Sequence, residues 1–116
     1  MKPLGIHHVN VTVGDLAPAL AFYGGALGMT ERTDRPDFPF AGAWLDLGGQ
    51  QVHLVVGTPS AETGDHFAIA IEDVMSAVSE LREAGIKVSE PRDVARGKQA
   101  FLRDPWGNLV ELQQPG

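Results

Sequence analysis

The sequence contains an internal repeat with a constant offset of 58 residues, the separation of His8 and His66. At this offset residues 8–20 align with residues 66–78, and a second block at 46–54 aligns with 104–112. The aligned pairs include His8 with His66, Asp15 with Asp73, Asp46 with Asp104, Val52 with Val110 and His53 with Glu111. One offset shared by two separate blocks indicates a duplicated module of about 55 residues. We predict module 1 at about 5–57 and module 2 at about 65–114.

Each module has the residue pattern of a strand, a helix and three further strands. The segment from His8 to Val13 alternates and contains three valines, which is typical of a strand. Aspartates at 15 and 73 are predicted helix N-caps, and glycines at 24, 25, 28 and 85 are expected to end the helices. The remaining strands are expected near residues 30–33, 43–47, 51–56, 87–90, 99–103 and 109–113. This βαβββ order occurs twice and predicts an α+β fold, with a polar linker at 58–64.

Length and composition restrict the class of protein. The 116 residues predict a single domain spanning 1–116. A net charge of −6 argues against a nucleic-acid partner or an anionic membrane, which would require clustered Lys and Arg. No apolar run approaches the about 20 residues of a membrane helix, and no signal-peptide pattern is present, so a cytoplasmic location is expected. Because the chain has no cysteine, any metal site must use His, Asp or Glu.

Strand alternation predicts which side chains share a face. In the first strand the valines must cover the helix, which places His8 and Asn10 on the opposite face. The same alternation places His53, His66 and Glu111 on the faces of their strands that point away from the helices. These four candidate ligands form two repeat-equivalent pairs. An approximate two-fold axis between the modules would bring the pairs together, whereas His7 is expected to have a structural role.

Imidazoles and one carboxylate form a donor set of nitrogen and oxygen atoms. Such a set suits one divalent transition metal, either Zn, Ni, Co, Fe or Mn, and does not suit Ca²⁺. With about four protein ligands, an ion that accepts six leaves positions open for substrate, which favours a catalytic ion. A lone strand histidine is more often a surface residue, and Glu111 alone is more often a solvated charge. The combination of three of the four histidines at these positions favours the metal site.

Several further residues are candidates for contact with a small-molecule substrate. Asn10 shares the face of His8 and is expected to hydrogen-bond a bound substrate. Arg35, Trp44 and Phe101 are candidate pocket residues, although core packing is the commoner fate of an aromatic residue. The identity of the substrate is expected to depend on the loops at 34–42 and 93–98.

The residues above resemble those of the vicinal oxygen chelate superfamily, which includes glyoxalase I, fosfomycin-resistance transferases, methylmalonyl-CoA epimerase, extradiol dioxygenases and bleomycin-resistance proteins. The most specific stretch is Asp104-Pro-Trp-Gly-Asn-Leu-Val-Glu111. The resemblance implies two paired βαβββ modules forming a curled mixed sheet around a metal-binding cleft. By position, the metal ligands of the family match His8, His66 and Glu111. The fourth position, acidic in glyoxalase I, is His53 here.

The resemblance implies chelation of a substrate through neighbouring oxygens and Lewis-acid catalysis. We therefore predict a lyase or isomerase of the glyoxalase type, in which Glu111 doubles as proton shuttle, and a homodimer. One alternative is an extradiol-type iron dioxygenase, although the second-sphere His and Tyr of those enzymes are not evident. Another is a ligand-sequestering resistance protein without catalysis. Asn10 stands where the fosfomycin enzymes carry Thr, and bleomycin-resistance proteins lack the metal ligands.

Overall fold

The computed structural model describes residue 2 and residues 4–59, 66–94 and 97–115. The chain divides into two compact units, Met1–Ser60 and Ala61–Gly116. Among the described residues, no helix is long and apolar enough to cross a membrane.

Unit 1 is a four-stranded sheet with one helical segment. Its elements are β1 (His8–Val13), α1 (Leu16–Leu20) continuing as a π-helix (Ala21–Ala26), β2 (Thr30–Glu31), β3 (Gly42–Leu47) and β4 (Gln50–Val56). The strand order is β1-β4-β3-β2. β1 and β4 are parallel, and the other neighbours are antiparallel.

Unit 2 repeats this arrangement. Its elements are β5 (His66–Ala70), α2 (Val74–Glu83), β6 (Arg92–Val94), β7 (Gly97–Arg103) and β8 (Leu109–Gln114), with strand order β5-β8-β7-β6. β5 and β8 are parallel, and the other neighbours are antiparallel. The predicted α+β class and the βαβββ order of both modules are confirmed.

The helix boundaries follow local chemistry with two differences from the prediction. Asp73 caps α2 by accepting a hydrogen bond from the backbone N–H of Ser76. Asp15 occupies the N-cap position of α1, but its side chain makes no cap hydrogen bond. Gly28 and Gly85 follow the helices at φ +77° and +82°, a region that favours glycine. Gly24 and Gly25 lie inside the π-helical segment and do not end the helix.

Strand alternation places the core as expected. Val11 and Val13 of β1 are buried, whereas His8 and Asn10 are exposed. The same holds in unit 2, where Ile69 of β5 is buried and His66 is exposed. The buried apolar residues of the β4 and β8 strands are Val52, Leu54, Val110 and Leu112. Each sheet thus buries one face in its own unit and leaves the candidate ligands on the other.

The two units share one register in their parallel strand pairs but not in their hairpins. His8 lies opposite Gln51 in unit 1, and His66 lies opposite Leu109 in unit 2, both consistent with the offset of 58. In the hairpins Trp44 lies opposite His53, and Phe101 lies opposite Glu111. His53 and Glu111 keep the offset of 58, whereas Trp44 and Phe101 are separated by one residue fewer. The β3–β4 turn is shorter than the β7–β8 turn, and turn length sets hairpin register.

This shift corrects the alignment of Asp46 with Asp104. Asp46 lies in β3 opposite Gln51. Asp104 lies in the β7–β8 turn, where its carboxylate accepts hydrogen bonds from the backbone N–H groups of Trp106 and Asn108. The prediction of a strand at 87–90 was also wrong: β6 lies at Arg92–Val94, and Val88 makes only an isolated bridge to Leu102. Of the predicted linker at 58–64, residues 60–64 lie outside the described residues.

Candidate metal-binding residues and their surroundings

Unit 1 brings His8 and His53 into contact. They project from the neighbouring parallel strands β1 and β4, on the face opposite the buried valines. Their rings are stacked, with centroids 3.9 Å apart and planes 16° apart. The structure therefore places these two predicted ligands side by side.

His53 is enclosed on the other side as well. The Trp44 ring stacks on it at 4.4 Å with an interplanar angle of 7°. With His8 and Trp44 stacked on it, His53 is only 8% exposed. Burial, followed by the electrostatic influence of nearby His8, lowers the pKa of His53 below its ordinary value. A neutral imidazole carries the lone pair that a metal ion needs.

Two further side chains hold this histidine pair, and neither was among the predicted site residues. His53 Nε2 lies 2.8 Å from Gln51 Oε1, and His7 Nδ1 lies 2.9 Å from His8 Nδ1. Gln51 has the same strand parity as His53 and stands opposite His8, so alternation and register together would have indicated it. For Nε2 of His53 to bind a metal, the ring must release Gln51.

Unit 2 brings His66 and Glu111 together from the parallel strands β5 and β8. His66 Nε2 lies 3.1 Å from Glu111 Oε1, and their side chains are 35% and 13% exposed. Two donor atoms bound to one transition-metal ion at about 2.1 Å lie about 3.0–3.4 Å apart in octahedral or tetrahedral geometry. The observed separation is compatible with two neighbouring ligands of one ion.

The donor chemistry of both pairs fits a divalent transition metal, and each unit supplies half of the predicted set. Within neither unit does a described third His, Asp or Glu join its pair to make a cluster that could hold an ion.

Trp44 and Phe101 occupy equivalent places beside the two pairs. Each lies on the antiparallel neighbour of the strand that carries a candidate ligand, directly opposite that ligand. Trp44 stacks on His53, and the Phe101 ring meets His66 edge-on at 5.9 Å. The structure thus places both predicted pocket aromatics beside the candidate ligands of their own unit.

Asn10 and Arg35 lie at the margin of the unit 1 pair. Asn10 is exposed on β1, opposite His53. The Arg35 guanidinium lies 5.0 and 5.3 Å from the ring centres of Phe38 and Phe40, and its Nη2 donates to the Phe40 carbonyl at 2.9 Å. Its buried Nε has no hydrogen-bond partner in the described part of the chain.

The loop that carries Arg35 ends at Gly42, the first residue of β3. A Cβ at position 42 would meet the Leu54 carbonyl oxygen and would lie 3.0 Å from Arg35 Nη2. Gly42 therefore permits the close approach of the β4 backbone and of the guanidinium. The loop connects to the histidine pair through Phe38, whose ring lies 6.2 Å from that of Trp44.

Comparison with known proteins places this geometry in a family. A protein of Synechocystis sp. named "Probable lactoylglutathione lyase" is 33% identical over 92% of this chain and 92% of its own length. An Arabidopsis thaliana protein named "Probable lactoylglutathione lyase, chloroplastic" is 35% identical over 94% of this chain, which spans only 35% of that longer protein.

Two solved structures share the fold over nearly their whole length. A proposed glyoxalase family protein from Bacillus anthracis superposes with a TM-score of 0.90 at 26% identity, over 100% of this chain and 98% of that one. The antibiotic binding protein TnmS3 from Streptomyces sp. CB03234 has a TM-score of 0.81 at 26% identity, over 100% and 99% of the two chains. The model of one family matches residues 5–112. The chain belongs to the Glyoxalase/Bleomycin resistance protein/Dioxygenase superfamily.

Proposed function

We propose that this protein is a divalent-metal-dependent enzyme of the glyoxalase type, a lyase or isomerase that acts on a small oxygenated molecule. The observation that carries the proposal is the separation of His66 Nε2 and Glu111 Oε1, 3.1 Å, which suits two ligands of one ion. The equivalent pair, His8 and His53, stands at the matching positions of the repeat. The names of the relatives support the lyase reaction.

In this proposal His8, His53, His66 and Glu111 hold the metal. When bound, the ion supplies Lewis-acid stabilisation of the negative charge that develops on a substrate oxygen. The enclosed, neutral His53 is suited to this role because its ring is not protonated near neutral pH. The identity of the ion is left to measurement, since these donors accept Zn, Ni, Co, Fe or Mn.

Glu111 is the proposed proton carrier. It is the only carboxylate in the set, and its Oε1 has His66 as a polar neighbour that orients it. Proton transfer at Oε1 requires the carboxylate to reach a substrate carbon held over the face of β8 that carries Glu111. Asn10, Trp44, Phe101 and Arg35 are proposed to position the substrate.

The first test is metal content together with turnover. We expect about one transition ion per chain, and we expect a chelator to lower the melting temperature, because an ion bound only by the folded state stabilises it. The first substrate to assay is S-lactoylglutathione, the compound in the relatives' names. Its conversion to glutathione and a 2-oxoaldehyde removes the thioester, so the reaction is followed by the change in thioester absorbance. Absence of metal, with no stabilisation by any added divalent ion, would refute the proposal.

A second candidate is a protein that binds a drug-like ligand without catalysis. The fold shared with TnmS3 favours it, as do the partly exposed rings of Phe38 and Phe40, which are 37% and 44% exposed. Tight binding of an aromatic antibiotic in the presence of chelator, without turnover, would support this candidate. Oxygen consumption with a catechol would instead identify a dioxygenase. A homodimer and a cytoplasmic location stay predictions from the sequence.

A further inference from the structure

A cavity of about 610 Å³ opens in unit 2 beside the His66–Glu111 pair. Phe101, Arg103 and Leu109 line it. The strand register places Phe101 opposite Glu111, and it places Leu109 opposite both Arg103 and His66. Residues opposite one another in a sheet point to the same face, so the cavity adjoins the two candidate ligands.

Two cations line this cavity without a carboxylate partner. Arg103 donates from Nη1 to the Gly107 carbonyl at 2.7 Å and makes no ion pair among the described residues. The side chain of Lys87 makes neither a hydrogen bond nor an ion pair with any described residue. Elsewhere in unit 2, Arg82 pairs with Glu90 and Lys98 pairs with Asp93.

Most of the remaining lining is apolar. Phe101 and Leu109 are half-buried, and the Phe101 ring contacts His66. Ser89 adds a hydroxyl whose oxygen accepts a hydrogen bond from the Phe101 N–H. A cavity with apolar walls and two uncompensated cations is complementary to an amphipathic anion. Its volume lies within the range of small-molecule sites, about 300–1,000 Å³.

We propose that this cavity binds a small organic anion, with its apolar body against Phe101 and Leu109 and its acidic group facing Lys87 and Arg103. In the enzyme proposed above, this anion is the part of the substrate remote from the reacting oxygens. That assignment to a substrate rests on the proposed function, whereas the binding itself does not.

The test is an NMR titration of ¹⁵N-labelled protein with 4-phenylbutyrate and with its neutral amide. A chelator is present throughout, so the carboxylate cannot bind through a metal. We expect the acid to bind about fivefold more tightly than the amide at low salt, with less difference at high salt. The backbone amide signals of Ser89, Phe101 and Leu109 are expected to shift. Equal affinity of acid and amide, or no saturable shift at these signals, would overturn the proposal.

Substitutions of the lining cations test whether Lys87 and Arg103 cause the preference for the acid over the amide. We expect Lys87→Gln with Arg103→Gln to reduce the affinity for the acid to that for the amide, and Lys87→Gln alone to give an intermediate loss. Arg92→Gln removes a cation of the same unit that does not line the cavity, and it should bind the acid as the parent protein does. Unchanged affinity in the double variant would contradict the assignment of the two cations.

Anion binding in this cavity and the proposed metal-dependent reaction can fail independently. A protein that binds phenylbutyrate in the expected way but contains no metal would keep this site and lose the metal-dependent reaction. A protein with metal and turnover but without preference for the acid would keep the reaction and lose this site.

Discussion

His53 lies between two rings, and this environment controls its charge. Trp44 and His8 stack on its opposite sides, and burial lowers its pKa. The electrostatic influence of four neighbouring groups acts in the same direction on the pKa; these are His8, His7, Arg32 and Arg35. The residue is therefore neutral in the folded protein at a pH where a free histidine begins to take up a proton.

The free energy of unfolding of the metal-free protein should depend on this histidine. Because the folded-state pKa is lowered, the contribution of His53 is fully present above its unfolded pKa of about 6.5 and is lost as the pH falls through the folded value. We expect lower stability at pH 5.5 than at pH 7.5 in urea titrations with chelator. The His53→Gln variant should show a smaller difference, and an equal difference would contradict this account.

Gly42 should resist substitution because of what surrounds it. In Gly42→Ala the new Cβ meets the Leu54 carbonyl and the Arg35 guanidinium, so we expect a loss of about 1–3 kcal/mol in the free energy of unfolding. Gly49→Ala is the matched control, because a Cβ there meets nothing within 4 Å and should change stability by less than about 0.5 kcal/mol. Thermal and urea denaturation measure both. Equal losses of stability in the two variants would mean that the structure around position 42 can move to accept a Cβ.

Among the elements, the two hairpins show how a duplicated sequence diverges. The parallel strand pairs keep one register, because the apolar faces of β1 and β5 must both be buried. The hairpins differ by one residue, because the β7–β8 turn is built around Asp104. Its carboxylate accepts from two backbone N–H groups and from the Asn108 side-chain amide at 2.7 Å.

Asp104→Ala should therefore destabilise the protein by about 1–3 kcal/mol, because it leaves the donors of a half-buried turn without their acceptor. Asp46→Ala is the control from the aligned sequence position. Asp46 pairs with Arg32 at the surface, and such a pair contributes only about 0–1 kcal/mol. Urea denaturation compares the two variants. A larger loss for Asp46→Ala would contradict the assigned roles.

At the scale of the whole molecule, the duplication distributes the candidate ligands equally between the units. Unit 1 provides His8 and His53, and unit 2 provides His66 and Glu111. In the proposed enzyme all four of these residues are ligands of the metal. Loss of one ligand should then have a large effect on metal content.

His66→Ala is expected to reduce the metal content from about one ion per chain to near zero while the fold is kept, because His66 lies on an exposed strand face. Glu72→Ala is the control, since it removes an exposed charged residue of the same unit that is outside the ligand set. Elemental analysis measures the metal, and circular dichroism checks the fold. Retention of stoichiometric metal in His66→Ala would show that this residue is not a ligand.

The candidate site was predictable to the extent that it follows from alternation and repetition. Strand parity is a local property of the sequence, so it is enough to assign His8, His53, His66 and Glu111 to open faces. The ring stack on His53 and the contacts of Gln51 and His7 had no such signal. They depend on which residues of neighbouring strands stand opposite one another, and chain segments far apart in sequence decide this.

The sequence by itself determined the βαβββ order, the buried face of each strand and two of the glycines that end the helices, Gly28 and Gly85, because periodicity and backbone preference act within a few residues. Only the tertiary structure decided the hairpin register, the position of β6 at Arg92–Val94, and the cavity beside Glu111. Turn length and cross-strand pairing are collective properties of the sheet. The predicted strand at 87–90 therefore keeps only the bridge from Val88 to Leu102, whereas residues 97–99 of β7 pair with Arg92–Val94, because pairing depends on the neighbouring strand as well as on the local pattern.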